Sequence, residues 1–300
     1  MLALVGPTAV GKSALAMKIA PLIDAEIVSV DSATVYRDMD LGTDKPSPDD
    51  RSAVPHHLID LVDHTDSFTV ADFQRWGREA IEKVKSQGKV PLLVGGSGLY
   101  FRAVVDPLEF PGTDSAVRQR LERELEELGP ERLYERLLQV DPEAAMRIHP
   151  SNSRRAIRAL EVAELTGNPF SAYRVAWEER RSIYDLAVAG LTLPPEQMDA
   201  LIDERVDRLI EKGWVDEVAG LTAGGTGLSA TSVQVLGYAQ IRDHLDGSIS
   251  LEEAVTEIKR RTRRFARRQL RWFKADPRIR WFVDPAAAGE YLVKEANERN

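Results

Sequence analysis

The chain has 300 residues, 43% apolar and 29% charged, with 20 Gly, 16 Pro and no Cys. That length exceeds what one compact core ordinarily uses, so one large and one smaller domain are expected. The lack of cysteine excludes a disulfide framework, a thiolate zinc site and a cysteine nucleophile, and it fits a reducing cytoplasm.

Leu2–Val5 is a short buried-strand run, followed by a glycine-rich turn and a helix from Ser13 to Ala20. Five residues are too few for a signal peptide ahead of that turn. Glu26–Val30 is a second strand that ends at Asp31, and His57–Val62 and Val90–Val94 read as two more. Between them Val70–Ser86 has helical spacing, with Phe73, Trp76, Ala80, Ile81 and Val84 on one face. From Asp114 to about Tyr173 the pattern is helical only, with Gly129 and Gly167 at expected stops. Leu186–Leu193 returns as a strand, and Pro194 opens an amphipathic helix running to Gly213. Ala223–Gly227 reads as a flexible loop. The fold class is therefore α/β: a P-loop NTPase-like parallel sheet with ligands at the strand carboxyl ends, and an inserted all-helical domain. The expected boundaries are 1–113 with 184–300 for the core and 114–183 for the insertion. No apolar run approaches the ~18 residues of a membrane span.

Gly6-Pro7-Thr8-Ala9-Val10-Gly11-Lys12-Ser13 fits G-x-x-x-x-G-K-[ST]. The glycines let successive backbone N–H groups converge on phosphate oxygens, Lys12 adds charge, and Ser13 offers a hydroxyl to Mg²⁺. The pattern marks phosphate binding strongly and nucleotide (ATP) binding less so. A usual P-loop NTPase has a second strand ending in an acid that orders the metal shell. Here VPLLV runs into Gly95-Gly96-Ser97-Gly98 instead, and no Asn-Lys-x-Asp for guanine is present. Hydrolysis of a nucleoside triphosphate is poorly supported. Asp31, at the end of the second strand, enters the same crevice. A carboxylate there suits a metal, a ribose or an amino group about to act as nucleophile, or merely caps the next helix.

Residues 259–274 (KRRTRRFARRQLRWFK) carry nine Lys/Arg and no acid, so the rest of the chain sums to −17 against a total of −8. Segregation that strong says more about partners than the total does. Arg263, Arg264, Arg267, Arg268 and Arg271 interleave with Phe265, Leu270, Trp272 and Phe273, a pattern suited to RNA phosphates and bases. Arg154, Arg155 and Arg158 form a smaller cluster on the helical block. His56-His57 lacks further clustered ligands and is not read as a zinc site. Trp76 and Trp214 are read as core.

GPTAVGKS, DSATVYRDMDLGTDKP, PHHLID, GGSGLY, RRAIRALE and VQVLGYAQ…RTRRFARRQLRWF, in that order over about residues 5–273, resemble the tRNA dimethylallyltransferase family. The resemblance implies an acceptor that is N6 of the adenosine 3′ to the anticodon, in tRNAs reading codons that begin with U, and a dimethylallyl diphosphate donor. It implies that Gly6 through Ser13 grip the diphosphate, with Thr8 catalytic and Mg²⁺ on Ser13. It makes Asp31 the general base and sets Ser32, Ala33, Thr34 and Ser97 against the flipped nucleotide. A second cation is implied at Arg205, with Arg208 close by in sequence. Arg118, Arg154, Arg155, Arg158, Arg263, Arg264, Arg267 and Arg268 are implied tRNA contacts. Ser97 stands where the family usually has Thr, which keeps the hydroxyl. A monomer is expected. An adenylate isopentenyltransferase, a small-molecule kinase and a non-catalytic RNA-binding P-loop protein are the rival readings.

Overall fold

The computed structural model describes residues 1–223 and 227–299, so most of the glycine-rich loop expected at Ala223–Gly227 lies outside the described residues. Two compact units divide the chain: Met1–Val105 with Tyr184–Asn300, and Asp106–Ile183.

In the first unit the strands are β1 (Leu2–Val5), β2 (Ala25–Ser29), β3 (His56–His57), β4 (Val90–Gly95), β5 (Ala187–Leu191) and β6 (Ile279–Phe282). They form one parallel sheet in the order β3-β2-β4-β1-β5-β6. β1 is buried throughout, and its residues alternate between two cores. Ala3 and Val5 face one apolar cluster while Leu2 and Leu4 face the other, as the period of two requires for a strand covered on both sides. Because every pairing is parallel, all carboxyl ends share one edge. β1 lies between β4 and β5, strands reached from opposite directions along the sheet, and a crevice opens at such a switch point.

Helices α1 (Lys12–Ile19), α2 (Pro48–Ala53), α3 (Val70–Ser86) and α4 (Gly98–Val105) belong to the first half of this unit. Capping boxes at Ser47/Asp50 and Thr69/Asp72 satisfy the opening N–H groups of α2 and α3. The expected strand over His57–Val62 is cut to two residues, with one further bridge between Tyr36 and Val62. Leu58 (φ 66°) and Asp60 (φ 56°) adopt left-handed backbone, which cannot continue a ladder. β6 has no counterpart in the sequence reading, since Arg280 interrupts its short apolar run.

The second unit contains α5 (Ser115–Val140), α6 (Pro142–Ala145), α7 (Ser153–Thr166) and α8 (Val175–Glu179). Gly129 (φ 81°, ψ 167°), followed by Pro130, breaks the helical path of α5, and Gly167 ends α7 in a left-handed cap. The unit begins at Asp106, ahead of the expected residue 114, because the entering segment is bonded to α7. Arg158 donates to the carbonyls of Pro111 (2.6 Å) and Gly112 (3.0 Å), and Asp114 N–H to Glu161 (3.2 Å). Glu161, with no exposed side-chain surface, also accepts from Arg118 (2.6 Å) and Arg158 (2.8 Å).

After β5 the first unit resumes with α9 (Pro195–Glu211), α10 (Trp214–Thr222), α11 (Tyr238–Leu245), α12 (Leu251–Lys274) and α13 (Pro285–Arg299). Asp199, Asp203 and Asp207, one helical turn apart on α9, pair with Arg267, Arg263 and Lys259 of α12. No helix among the described residues is long and apolar enough to cross a membrane.

Burial alone would raise the Glu161 carboxyl, but hydrogen bonds from Arg158, Arg118 and the Asp114 N–H outweigh it and hold the group below its ordinary value of 4.5. A depressed carboxyl contributes stability above its unfolded pKa and loses it as pH falls through the folded one. Acid titration followed by far-UV dichroism should therefore show the helical unit loosening below about pH 4.5, the ordinary value. Glu161→Gln should flatten that part of the curve and cost roughly 2–4 kcal/mol at neutral pH.

Candidate active site

The turn after β1 is formed by Gly6 (φ 147°), Ala9 (φ 65°) and Gly11 (φ 85°), a sequence of positive φ that curls the N–H groups inward. A Cβ on Gly6 would sit 2.3 Å from the Leu191 carbonyl, so β1 and β5 approach too closely there for any side chain. Lys12 and Ser13 open α1, with Lys12 half-buried and Ser13 exposed. The Lys12 ammonium donates to the Pro7 carbonyl and so stays inside its own loop. Burial pushes its pKa down to about 8, with Asp31 opposing the fall and Arg205 adding to it.

Asp31 follows β2 and is half-buried. Its Oδ1 accepts the Ala33 N–H at 2.9 Å, a tight turn that fixes the carboxylate, and Oδ2 has no hydrogen-bond partner among the described residues. Ser32 and Ala33 are half-buried beside it, whereas Thr34 is buried and its hydroxyl shares a hydrogen bond with Ser29 (3.1 Å). Thr34 is thus a wall residue rather than an open contact. Ser97 is half-buried in the turn after β4, and its N–H bonds the Val30 carbonyl at 3.2 Å, tying this turn to the strand end that carries Asp31. Tyr100 packs edge-on against Phe73 with centroids 4.4 Å apart. Burial, with smaller contributions from Tyr36, Asp31 and Asp72, pushes its phenol up.

Arg205 of α9 donates to the Thr8 hydroxyl and lies 3.2 Å from the Asp44 carboxylate through Nε. Arg208, one turn on, is exposed. Gln269 of α12 reaches the same place: its Oε1 accepts the Thr8 N–H at 3.0 Å and its Nε2 donates to the Gly96 carbonyl at 2.9 Å. The loop carrying Asp44 is held by Glu217, whose carboxylate accepts from Asp40 N–H (2.8 Å), Leu41 N–H (2.6 Å) and the Tyr238 hydroxyl (2.7 Å). Lys45, with 1% of its side chain exposed, pins the loop further through Asp40, Asp60 and the Tyr36 carbonyl, each at 2.6 Å.

The sequence reading missed Gln269, Asp44 and Glu217. Gln269 had a readable signal. It falls on the stripe Ile258, Thr262, Ala266, Gln269, Phe273, which is the buried face of α12. A long amide there needs partners.

The candidate RNA contacts divide into two groups. Arg263 and Arg267 are paired with Asp203 and Asp199, and Arg118 and Arg158 with Glu161. Arg264, Arg268 and Arg271 are exposed at i, i+4, i+7 on the side of α12 away from its buried face, with Arg268 over the Phe265 ring (5.4 Å) and no acidic partner among the described residues. Arg154 and Arg155 are exposed at the start of α7. His56 and His57 are spent on the Val54 carbonyl (2.7 Å) and Glu26 (2.6 Å), and no metal-binding cluster occurs among the described residues.

A strand–loop–helix turn with two cations and a fixed carboxylate at one sheet edge defines a P-loop α/β protein. The IPP transferase family model matches residues 34–276. The chain is 49% identical over 286 residues to the tRNA dimethylallyltransferase of Thermobifida fusca, covering 94% of this chain and 89% of that one. It is 48% identical over 281 residues to that of Streptomyces coelicolor, with the same coverage. Among solved structures it resembles the tRNA isopentenylpyrophosphate transferase of Bacillus halodurans (TM-score 0.72, 39% identity, 99% and 97% covered). It also resembles a eukaryotic dimethylallyltransferase acting on tRNA (TM-score 0.78, 26% identity, 95% and 74% covered). This chain belongs to the IPP transferase family.

A lysine whose pKa lies near 8 must take up a proton to bind an anion above that pH. Calorimetric affinity for inorganic diphosphate should exceed that of Lys12→Met by roughly 10- to 100-fold at pH 7. The advantage should shrink as pH rises through about 8, where Lys12 of the unliganded protein loses its proton.

Proposed function

We propose that the protein transfers a dimethylallyl group from dimethylallyl diphosphate to N6 of the adenosine 3′ to the anticodon, in tRNAs reading codons that begin with U. The observation that carries this reading is the convergence of Asp31, Lys12 and Arg205 on one phosphate loop, in a chain of this family. The loop N–H groups from Ala9 to Ser13 hold the diphosphate, with Lys12 and Arg205 countering the charge that grows on it as the allylic C–O bond breaks. Thr8, bonded to Arg205, sets where that guanidinium sits. The N6 lone pair forms the new C–N bond, the departing diphosphate keeps the C–O electron pair, and the N6 proton passes to Asp31. The Asx turn leaves Oδ2 available for that proton.

Ser13 suits Mg²⁺: an exposed hydroxyl in the first turn of α1 supplies one hard oxygen, and diphosphate and water supply the rest. When bound, the ion adds Lewis-acid stabilisation of the leaving diphosphate. No protein carboxylate cage is needed.

Ser32, Ala33 and Ser97 receive the extruded adenine, and Thr34 backs that wall. Arg264, Arg268 and Arg271 take RNA phosphates, and Arg154 and Arg155 grip the anticodon stem-loop. Arg263, Arg267, Arg118 and Arg158 contribute mainly by holding those helices in place, since each already has an acidic partner. On this reading the working form is a monomer in the cytoplasm.

Incubation with labelled dimethylallyl diphosphate, Mg²⁺ and either bulk tRNA or AMP should label tRNA alone; labelled AMP, or consumption of ATP in its place, would sink the proposal. Asp31→Asn should lower single-turnover transfer by ~10²–10⁴-fold while tRNA affinity holds. Removing Arg264 and Arg268 should weaken tRNA binding and lower its salt slope by about one for each phosphate no longer neutralised, with donor affinity unchanged.

A further inference from the structure

α12 has two faces with different tasks. One is the exposed row Arg264, Arg268 and Arg271. The other presents Gln269, Trp272 and Phe273 to the ends of β1 and β4. The Gln269 side chain is buried and engaged at both ends, accepting from Thr8 N–H and donating to the Gly96 carbonyl. Its fit is tight: a Cβ on Gly96 would lie 2.4 Å from Gln269 Nε2, and one on Gly98 only 2.1 Å from the Trp272 ring. Phe273 packs against Phe101 of α4 at 6.1 Å.

Two consequences follow for the loop. The Thr8 N–H is withdrawn from the cradle, so the anion is left to the N–H groups further along. The backbone at Thr8 is also fixed relative to Gly96, and with it the hydroxyl that receives Arg205. The amide is matched to this task, because one end must accept and the other must donate.

We propose that Gln269 is a positioning residue for the donor diphosphate. It locks the Thr8 backbone to the turn after β4, so that the phosphate loop and Arg205 are preset before substrate arrives. This inference rests on the function proposed above.

The test uses the full chain and the variants Gln269→Leu and Gln269→Glu. Leucine keeps the volume and loses both hydrogen bonds. Glutamate accepts at both ends when ionised, and recovers the donor toward Gly96 only when protonated. Binding of inorganic diphosphate and of dimethylallyl diphosphate is measured by calorimetry, tRNA binding by filter retention, and folding by thermal melting. Gln269→Leu should lose about 10-fold or more in affinity for both diphosphates, with tRNA affinity within twofold of the parent. Gln269→Glu should be weak at pH 8.5 and regain affinity relative to the parent at pH 6, a recovery that a general packing defect would not give. Unchanged or tighter diphosphate binding by Gln269→Leu would overturn the proposal, as would equal losses for diphosphate and tRNA. If Gln269→Leu fails to fold, the pH series on Gln269→Glu decides alone: recovery supports the assignment and a flat ratio overturns it. A parent protein that binds diphosphate but does not prenylate tRNA would instead refute the proposed function and leave the positioning role to be judged from binding.

Discussion

An ammonium withdrawn from water beside a guanidinium is unfavourable until an anion joins them. Lys12 and Arg205 are in that situation, with Asp31 as partial relief. Much of the surrounding structure serves to keep the two cations in place. Pro7 accepts from one, and Thr8 and Asp44 hold the other. Glu217 and Lys45 fix the loop that supplies Asp44, and Gln269 fixes the loop that supplies Thr8. Preorganised charge of this kind costs folding energy and is recovered when substrate charge arrives, the usual arrangement where a leaving group must be stabilised.

The half of the candidate site around the Gly6–Ser13 turn and Asp31 was legible because its parts are local. The loop pattern needs only consecutive residues, and Asp31 is placed by the strand that precedes it. The same holds for Gly129 and Gly167, whose conformational role is written in the residue itself. What escaped were groups whose meaning depends on distant partners. Nothing near Glu217 says that it receives N–H groups from residues 40 and 41. β6 escaped for a similar reason: four residues with an arginine among them make a strand only because β5 offers an edge.

The basic segment shows how a charge run misleads when read alone. Nine cations without an internal acid looked like a single binding surface. In the structure Arg260 and Arg261 fold back on Glu257, and Lys259, Arg263 and Arg267 are matched one turn at a time by aspartates of α9. The excess positive charge left outward is therefore narrower than the sequence suggests, a stripe one residue wide on a helix otherwise committed to the fold.

That ladder also constrains length. An α-helix turns about 100° per residue, so a single residue inserted between Lys259 and Arg267 would rotate everything beyond it. The outer arginines would swing toward the buried face of the helix and Gln269 would leave the Thr8–Gly96 gap. Single-residue insertions and deletions should consequently accumulate in relatives in the segments that join α10 to α11 and α11 to α12, and be excluded from within α9 and α12. The spacing of α12 is in this sense part of the chemistry, as fixed as the residues it carries.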